Sequence, residues 1–365
     1  MNSLAINTTL NDRISAFAKA GSLLTSYLKK EPTDATTTIE AAFYKAQAKN
    51  SWFTDENLNH AFEQWSLALN EDALKIWTAP YHLKNISPRT VAIITAGNLP
   101  LVGFHDVLSV IITGHHAMIK NSSNDDVLTP MLLQLATDHL PELSQSYSYN
   151  DGRLTGYDAV IATGSDNTAR YFEYYFGSKP NIIRKNRNSI AVLTGSETIN
   201  HMEALSEDVF NYFGLGCRSV SHLMVPRGYN FDLFFNGMFK QQHLIKNEKY
   251  VNNYDYNKAV YLMSEFDLLD NEFLLIKEEN ESYSSPIASL GYSFYDDISD
   301  VADQIKNDAD KLQCVVAQGK AAQTIKANLG NLTAPAVVDF GTTQCPMLND
   351  YADGVDTVDF LLTLS

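Results

Sequence analysis

Short apolar runs alternate with helical patterns through the middle of the chain, and this alternation limits the possible folds more than any other feature of the sequence. Residues 91–95, 116–120, 158–164 and 189–195 are predicted as buried strands, and helical patterns separate them. Strands that alternate with helices form a parallel sheet with helices on both faces. The sequence therefore predicts an α/β domain over residues 86–205.

The alternation continues in a second stretch of the chain. Strand patterns at residues 222–226, 273–277, 287–294 and 312–318 are separated by helical or loop segments. They predict a second α/β domain over residues 206–335. A chain of 365 residues is longer than one hydrophobic core usually serves, so its length also favours two or more domains.

The two ends of the chain differ from these domains. Residues 1–85 carry apolar side chains at helical spacing, for example Leu10, Ile14 and Phe17, and predict an N-terminal helical segment. Residues 336–365 are predicted as a returning tail, in which the sequence DGVDTVDFLLTL has the apolar content of a strand.

The charge of the chain argues against some partners. The formal net charge is -16 and the pI is about 4.9, so the protein should repel nucleic acid and anionic membrane surfaces. No run of about 18 apolar residues predicts a membrane span. The first residues lack the pattern of a signal peptide, so we expect a cytoplasmic protein. Three scattered cysteines predict neither a disulfide framework nor a metal site.

Cys217 is the candidate nucleophile. It follows two glycines in the sequence FGLGCRS, where glycine lets the backbone approach a ligand closely. Arg218 beside it would favour the thiolate, which is the reactive form of cysteine. The alternative is a buried structural cysteine, and that interpretation is preferred for Cys314 and Cys345.

Polar groups follow three of the predicted strands in the first domain. Asn98 comes directly after one strand, Lys120 ends the next, and the pair Gly164–Ser165 follows the third. Ligands of parallel α/β sheets bind at the carboxyl ends of the strands, so the order of elements points to a nucleotide-sized ligand there. Each residue also has an ordinary interpretation: Asn98 as a helix N-cap, Lys120 as a solvated strand end, and Gly164–Ser165 as a common strand-to-helix turn.

Taken together, these segments resemble a known superfamily. The order GNLP, MIK, TGS and then a cysteine after a glycine-rich bend is similar to that of the aldehyde dehydrogenases. Four longer stretches resemble one branch of it, the acyl-CoA reductase family, which includes the fatty-acid reductase component of bacterial bioluminescence. They are AGNLPLVGFHDVLSVIITGH, RNSIAVLTG, FGLGCRSVSHLMVP and DYADGVDTVDFLL, and the similarity runs from about residue 85 onward.

The resemblance implies a fold and a set of roles. The expected fold is aldehyde-dehydrogenase-like, with a Rossmann-type cofactor domain, an α/β catalytic domain and a late strand that joins a neighbouring subunit. Cys217 would form the acyl-cysteine and Asn98 would donate to its oxyanion. Lys120 would hold the adenosine ribose of the cofactor, with Gly164 and Ser165 packed against it. The family favours NADPH, with NADH also possible.

One departure from ordinary aldehyde dehydrogenases is informative. Those enzymes carry a glutamate about 34 residues before the cysteine, which activates water to hydrolyse the thioester. The corresponding stretch here is RKNRNS, which places Arg184 or Lys185 near that position. Without a carboxylate base, hydrolysis is poorly supported, whereas reduction or exchange with coenzyme A is not affected. Arg184 and Arg187 could instead meet a phosphate of the cofactor or of coenzyme A; the alternative is a solvated basic face.

The sequence therefore favours NAD(P)H-dependent reduction of an acyl thioester to an aldehyde. The expected donor is an acyl-CoA or an acyl-protein, with a fatty-acid synthetase as a possible partner. Pairing of the late strand between subunits would give a homodimer or homotetramer; the alternative is a strand that completes its own sheet. Two other functions stay open: a CoA-acylating aldehyde dehydrogenase that works towards acyl-CoA, and a non-catalytic scaffold that binds the cofactor.

Overall fold

A computed structural model describes residues 8–84 and 86–364. The chain divides into two compact units, whose residues are 1–185, 347–351 and 355–365 for the first unit and 186–346 and 352–354 for the second.

Helices occur throughout both units. In the described residues they are α1 (Leu10–Leu28), α2 (Thr36–Lys49), α3 (Asp55–Ala68), α4 (Glu71–Thr78), α5 (Phe104–Ile112), α6 (Leu128–His139), α7 (Asp166–Phe176), α8 (Ile199–Phe210), α9 (Asp232–Met238), α10 (Glu248–Met263), α11 (Ile298–Asn307), α12 (Gly319–Leu329) and α13 (Thr357–Leu362). Short 3-10 segments lie at Pro141–Ser146, Asn211–Gly214, Phe239–Lys246 and Ala352–Gly354.

The strands are β1 (Thr90–Ile94), β2 (His116–Lys120), β3 (Tyr147–Tyr149), β4 (Ala159–Thr163), β5 (Asn181–Arg184), β6 (Asn188–Val192), β7 (Val220–Pro226), β8 (Leu268–Asp270), β9 (Leu275–Glu278), β10 (Ser289–Tyr295), β11 (Leu312–Val316) and β12 (Ala336–Val338). They form two sheets among the described residues, a five-stranded sheet in the first unit and a seven-stranded sheet in the second.

The sheet of the first unit is parallel, with strand order β3-β2-β1-β4-β5. Its strands are apolar because both faces are covered. Alternate residues of β1, such as Val91 and Ile93, belong to a core that also contains α5 and α6. Ala92 faces a smaller cluster with Phe172 and Phe176 of α7. The predicted parallel sheet with helices on both faces is thus confirmed for β1, β2 and β4.

The N-terminal helices are part of the first unit rather than a segment of their own. α1 begins at the N-cap Thr9, whose side chain accepts a hydrogen bond from the amide of Asp12 in a capping box. Its residues Phe17 and Leu24 are fully buried. They share one hydrophobic core with α5 and α6, so the predicted segment 1–85 and the first sheet unit fold around the same apolar interior.

The second unit begins earlier than predicted. Its sheet has the order β12-β11-β6-β7-β10-β9-β8, and only the β8–β9 pair is antiparallel among the described strands. β6, predicted as the fourth strand of the first sheet, pairs instead with β7 and β11. The boundary predicted between residues 205 and 206 is therefore wrong: that point falls inside α8, and the division lies between residues 185 and 186.

The predicted C-terminal strand is a helix. Asp356 caps α13 by accepting a hydrogen bond from the amide of Asp359 at 3.0 Å. Val358 and Leu361 are fully buried, and their spacing of one helical turn places them on the side that packs against α5. The prediction of an oligomerisation strand in DGVDTVDFLLTL is wrong in the described residues, because this segment forms α13 and its apolar side chains belong to the core of the first unit.

Candidate active site

Three of the predicted site residues lie along one edge of the first sheet. Asn98 follows β1, Lys120 ends β2, and Gly164 follows β4, and these strands are neighbours in the order β2-β1-β4. The carboxyl ends of parallel strands meet at the same edge, so the three residues share it, as the order of elements in the sequence predicts.

Asn98 lies in a turn and is exposed to solvent. α5 does not begin until Phe104, and its N-cap is Gly103. The interpretation of Asn98 as the N-cap of this helix is therefore wrong. Leu101 adopts a left-handed conformation with φ of 60°, an uncommon conformation for a non-glycine residue that surrounding contacts must hold.

The backbone of this turn is held by buried side chains. Asn50 donates from Nδ2 to the carbonyl of Gly97 at 3.2 Å, and the Leu101 amide donates to Asp125 Oδ2 at 3.0 Å. Burial raises the pKa of the Asp125 carboxyl, although backbone hydrogen bonds oppose this shift. A Cβ atom at Gly97 would come within 2.6 Å of Ser122 Oγ, so the strand and the adjacent loop approach as closely as glycine permits. The fixed backbone limits the positions that the Asn98 amide can take.

Lys120 is half-buried at the end of β2, and its Nζ donates to the carbonyl of Gly152 at 3.0 Å. An ammonium group has three donors, and this bond uses one of them. The contact holds the cation at the sheet edge, which fits the role that the resemblance assigns to it.

Gly164 and Ser165 form the turn that leads into α7. Ser165 is the N-cap of this helix, and its Oγ accepts a hydrogen bond from the Thr168 amide at 3.4 Å. A Cβ atom at Gly164 would lie 3.0 Å from the Thr168 side chain and 3.1 Å from the Phe172 ring. The turn is therefore tightly packed against its own helix, and the positive end of the helix lies at the sheet edge, where an anionic group is stabilised.

The structure contradicts a phosphate-binding role for Arg184. This residue is only 6% exposed, and its Nη2 lies 2.7 Å from Asp106 Oδ1 and 2.9 Å from Thr357 Oγ1. The buried guanidinium is neutralised within the first unit, so its charge stabilises the packing of α5, β5 and α13.

Arg187 is likewise engaged, in this case within the second unit. Its Nε lies 3.2 Å from Asp353 Oδ1, and its Nη1 donates to the carbonyls of Ala309 and Leu312. A guanidinium with these partners fixes loops rather than binding a cofactor phosphate. The alternative of a solvated basic face is also wrong for Arg184 and Arg187, and it holds only for the exposed Lys185, which pairs with Glu173 at 2.8 Å.

Cys217 is exposed in the turn that precedes β7 in the second unit. Before this turn, Tyr212, Phe213 and Gly214 all have positive φ, at 56°, 58° and 74°. Three successive left-handed residues redirect the chain sharply, and two of them are aromatic residues that rarely adopt this conformation. On the other side, buried Ser189 donates from Oγ to the carbonyl of Cys217 at 2.9 Å. The thiol is thus presented to solvent by backbone that is fixed on both sides.

A distant loop holds the residue that follows Cys217. Arg218 donates from Nε to the carbonyl of Thr343 at 2.6 Å. Buried Asp208 of α8 accepts hydrogen bonds from the amides of Gly341 at 2.6 Å and Thr343 at 2.9 Å. Burial raises the pKa of Asp208 to about 6, against the lowering effect of these bonds. Sequence reasoning missed Asp208, because 133 residues separate it from Gly341 and no local pattern marks the pair.

The other two cysteines differ in exposure. Cys314 is fully buried in β11, where its amide donates to Ser189 Oγ at 3.1 Å. Cys345 is exposed, and lies in the loop after Thr343. Over residues 8–84 and 86–364, no group of three or more His, Cys, Asp or Glu side chains is arranged to hold a metal ion, and no helix is long and apolar enough to cross a membrane.

Comparison with known proteins agrees with this architecture. No protein-family profile matches the chain. The chain is similar to long-chain acyl-protein thioester reductase 2 of Photobacterium leiognathi, with 25% identity over 216 residues that cover 54% of this chain and 45% of that protein. The chain thus matches less than half the length of this relative.

Solved structures show the same fold. Aldehyde dehydrogenase 21 of Physcomitrella patens, in complex with succinate, matches with a TM-score of 0.67 and 12% identity, over 98% of this chain and 85% of that one. A mutant of aldehyde dehydrogenase C of Pseudomonas syringae, in complex with NAD+ and octanal, matches with a TM-score of 0.64 and 15% identity, over 92% and 77%. The protein has an aldehyde-dehydrogenase fold, and the resemblance predicted from its motifs is confirmed.

Proposed function

We propose that the protein reduces an acyl thioester to an aldehyde through an acyl-cysteine on Cys217, with a nicotinamide cofactor as the reductant. The observation that carries this proposal is the exposed thiol on the fixed turn before β7, in a chain that has the aldehyde-dehydrogenase fold. The similarity to an acyl-protein thioester reductase supports the choice of substrate class.

The first step is acyl transfer. The Cys217 thiolate attacks the carbonyl carbon of the donor thioester, and the carbonyl π electrons move onto oxygen. When this tetrahedral species collapses, the bond to the sulfur of the donor breaks and the donor leaves as a thiol after it takes up a proton. The acyl group then remains on Cys217. The family resemblance assigns to Asn98 the donation of a hydrogen bond from Nδ2 to the oxyanion, and its side chain is exposed on a turn that buried groups hold.

The cofactor would be held at the carboxyl edge of the first sheet. The residues there suit a dinucleotide: a fixed cation at Lys120, and the start of α7 at Gly164 and Ser165, where a Cβ atom on Gly164 would make tight contacts of 3.0–3.1 Å. When bound, the cofactor supplies the hydride that reduces the acyl group to an aldehyde, and Cys217 leaves as a thiolate. The family resemblance favours NADPH, whereas Arg184 and Arg187 give no support for recognition of its extra phosphate.

The stretch before the cysteine favours reduction over hydrolysis. β5 ends at Arg184, and this arginine and Lys185 stand where the resemblance expects a catalytic glutamate. Neither side chain activates water as a base at neutral pH, so the thioester persists until it is reduced or returned to a thiol. The same feature suits formation of acyl-CoA from an aldehyde, coenzyme A and oxidised cofactor, which is the second candidate function.

The test is the mass of the intact protein after incubation with a long-chain acyl-CoA, with and without NADPH. We expect wild type and Cys345→Ala to gain one acyl group and to lose it as free aldehyde when NADPH is added. Cys217→Ala should gain no mass. Cys345 is the matched control, because it is the other exposed cysteine of the chain.

An adduct that persists in Cys217→Ala would rule out the assigned nucleophile. Loss of the acyl group as a free acid would show hydrolysis instead of reduction. An adduct that NADPH and NADH leave unchanged, but that coenzyme A removes, would favour the acyl-transferring direction. An acyl-protein donor from a fatty-acid synthetase is the donor to test if acyl-CoA leaves all variants unmodified.

A further inference from the structure

A cleft lies in the first unit, away from the edge that carries Asn98 and Lys120. It has a volume of about 630 Å³. The start of α1, the connector before β1 and the turn at Thr113–Gly114 before β2 form its walls. These segments precede the strands, so the cleft lies at the amino ends of β1 and β2 and is distinct from the proposed cofactor edge.

The walls of this cleft are positively charged in a strongly acidic chain. Arg13 and Lys84 line it, and no Asp or Glu is among the described lining residues. The whole chain has 43 acidic residues against 27 lysines and arginines and is therefore negatively charged, whereas the charged residues that line the cleft are positive. Such a reversal creates a positive potential inside the cleft.

In the described part of the chain, the buried guanidinium of Arg13 donates its hydrogen bonds to neutral groups. It is 5% exposed, and it donates from Nη1 to the carbonyl of Thr8 at 2.6 Å and from Nε to the carbonyl of Ile112 at 3.2 Å. Within the described ranges, no hydrogen bond involves its Nη2, which lies against Gly114. Burying a charge without an opposite charge is unfavourable, and burial lowers the pKa of Arg13 to about 10, so the group stays cationic at neutral pH.

Two acidic residues that bond to lining residues of the cleft are engaged in helix caps. Asp12 is exposed, and its carboxylate accepts hydrogen bonds from the amide and hydroxyl of Thr9 in the capping box of α1. Asp356 accepts a hydrogen bond from the Tyr81 hydroxyl at 2.6 Å and caps α13. Neither residue forms an ion pair with Arg13 in the described structure, so the guanidinium can accept an external anion.

The start of α1 adds to this potential. Thr8, Thr9, Leu10 and Asn11 line the cleft, so the positive end of a 19-residue helix borders it. The capping box engages the amides of Thr9 and Asp12. A phosphate group would therefore be bound by the guanidinium of Arg13 and by the amides of α1 that lie outside the capping box.

We propose that this cleft binds a phosphate monoester, with its phosphate held between Arg13 and Lys84 at the start of α1. The volume is within the range of sites that hold a whole small molecule and exceeds the need of a phosphate alone, so the expected ligand is a phosphorylated metabolite. Lys84 is exposed at the rim and Arg13 lies in the wall. This site is separate from the acyl and cofactor chemistry, so binding there does not depend on Cys217.

The test is calorimetric titration of the full chain, in a buffer free of phosphate, with glucose 6-phosphate and with inorganic phosphate. We expect one molecule of ester per chain. Lys84→Ala should weaken binding at least about tenfold, as expected for the loss of a charge-assisted contact. Arg13→Gln should abolish binding. Lys120→Ala is the matched control, since it removes a lysine from the opposite edge of the same sheet and should leave the affinity unchanged.

The outcomes separate the possible ligands and sites. Tighter binding of the ester than of inorganic phosphate supports a metabolite, whereas equal binding overturns the ester and identifies free phosphate as the ligand. Loss of binding in Lys120→Ala but not in Lys84→Ala would place the anion at the cofactor edge and overturn the proposal. Absence of binding in wild type would also overturn it. Arg13 is buried, so thermal melting must show that Arg13→Gln is folded, and exposed Lys84 provides the test if it is not.

Discussion

The turn that carries Asn98 and the turn that carries Cys217 both fix an exposed polar side chain, but different supports hold their backbones. Each exposes one polar side chain on backbone that includes left-handed residues. The Asn98 turn is held by Asn50 and Asp125, which lie 47 and 24 residues from the groups that they bond in the same unit. The Cys217 turn is held through a loop more than 120 residues further along the chain. The Cys217 carbonyl also accepts a hydrogen bond from Ser189, 28 residues away. The two turns therefore differ in their most distant support, which the local sequence does not reveal.

The largest effect on catalysis that this comparison predicts, apart from loss of the nucleophile itself, is that of Asn98→Ala. We expect a fall of about 10²–10³ in kcat, because one oxyanion donor is lost. The free energy of unfolding should hardly change, since the side chain is exposed. Single-turnover acylation of Cys217 measures the effect, and Asn59→Ala, an exposed asparagine on α3, is the control. Equal rates in the two variants would remove Asn98 from the reaction.

Gly97→Ala tests whether the close packing of the Asn98 turn matters. The new Cβ would meet Ser122 Oγ at 2.6 Å and Ser122 Cβ at 2.8 Å, so the turn must shift. We expect a loss of about 1–3 kcal/mol in the free energy of unfolding, together with slower acylation. Gly152→Ala is the control, because its nearest contact would be an ordinary 3.5 Å. Chemical denaturation of both variants decides the matter, and similar midpoints would show that the turn is not tightly packed.

Asp208→Asn tests the distant support of the Cys217 turn. An asparagine keeps one acceptor oxygen, so one of the two amides at Gly341 and Thr343 loses its partner. We expect a loss of about 1–2 kcal/mol in the free energy of unfolding, within the usual range for a buried unsatisfied donor. The rate at which iodoacetamide alkylates Cys217 should change at the same time. As a control, the alkylation rate of Cys345 in a Cys217→Ala background reports on the loop that carries Thr343 and Cys345 alone. An unchanged Cys217 rate would limit Asp208 to a purely structural role.

The same residue predicts the smallest effect, a dependence of stability on pH. The pKa of Asp208 is about 6 in the folded protein against an ordinary value of 3.8. Between these values the folded state keeps a proton that the unfolded chain releases, so the contribution of Asp208 to stability falls as pH rises through this window. The difference in unfolding free energy between wild type and Asp208→Asn should therefore shrink by about 1 kcal/mol from about pH 4.5 to about pH 5.5. Parallel urea-denaturation profiles for the two proteins would contradict the shifted pKa.

Much of the fold could be predicted from the sequence, because the spacing of apolar residues agrees with the burial of those residues along most of the chain. The runs at β1, β2 and β4 are short, apolar and flanked by helices, so few other structures suit them. The tail could not be assigned in this way. In TVDFLL, apolar residues are so dense that they satisfy a strand pattern as well as a helical one, and only the capping bond at Asp356 and the burial of Val358 and Leu361 decide for the helix.

The candidate site was predictable where one strand end carried one residue, as for Asn98 and Lys120. It was not predictable where a charge has a distant partner. In the sequence Arg184 stands in a basic stretch with Lys185 and Arg187, but Asp106, 78 residues earlier, neutralises it inside the first unit. β6 shows the same limit for strands, since its sequence alone does not say which of the two sheets it joins.

The route of the chain through its two units has a consequence for synthesis. Residues 347–351 and 355–364 return to the first unit, where Val358 and Leu361 belong to the same core as Phe17. When the ribosome has synthesised α7 and β5, the first unit therefore still lacks α13, and the part of its hydrophobic core that α13 covers is exposed to water. That surface stays uncovered while about 160 intervening residues are made. Until α13 emerges, we expect the nascent first unit to be the part of the protein that depends most on chaperones.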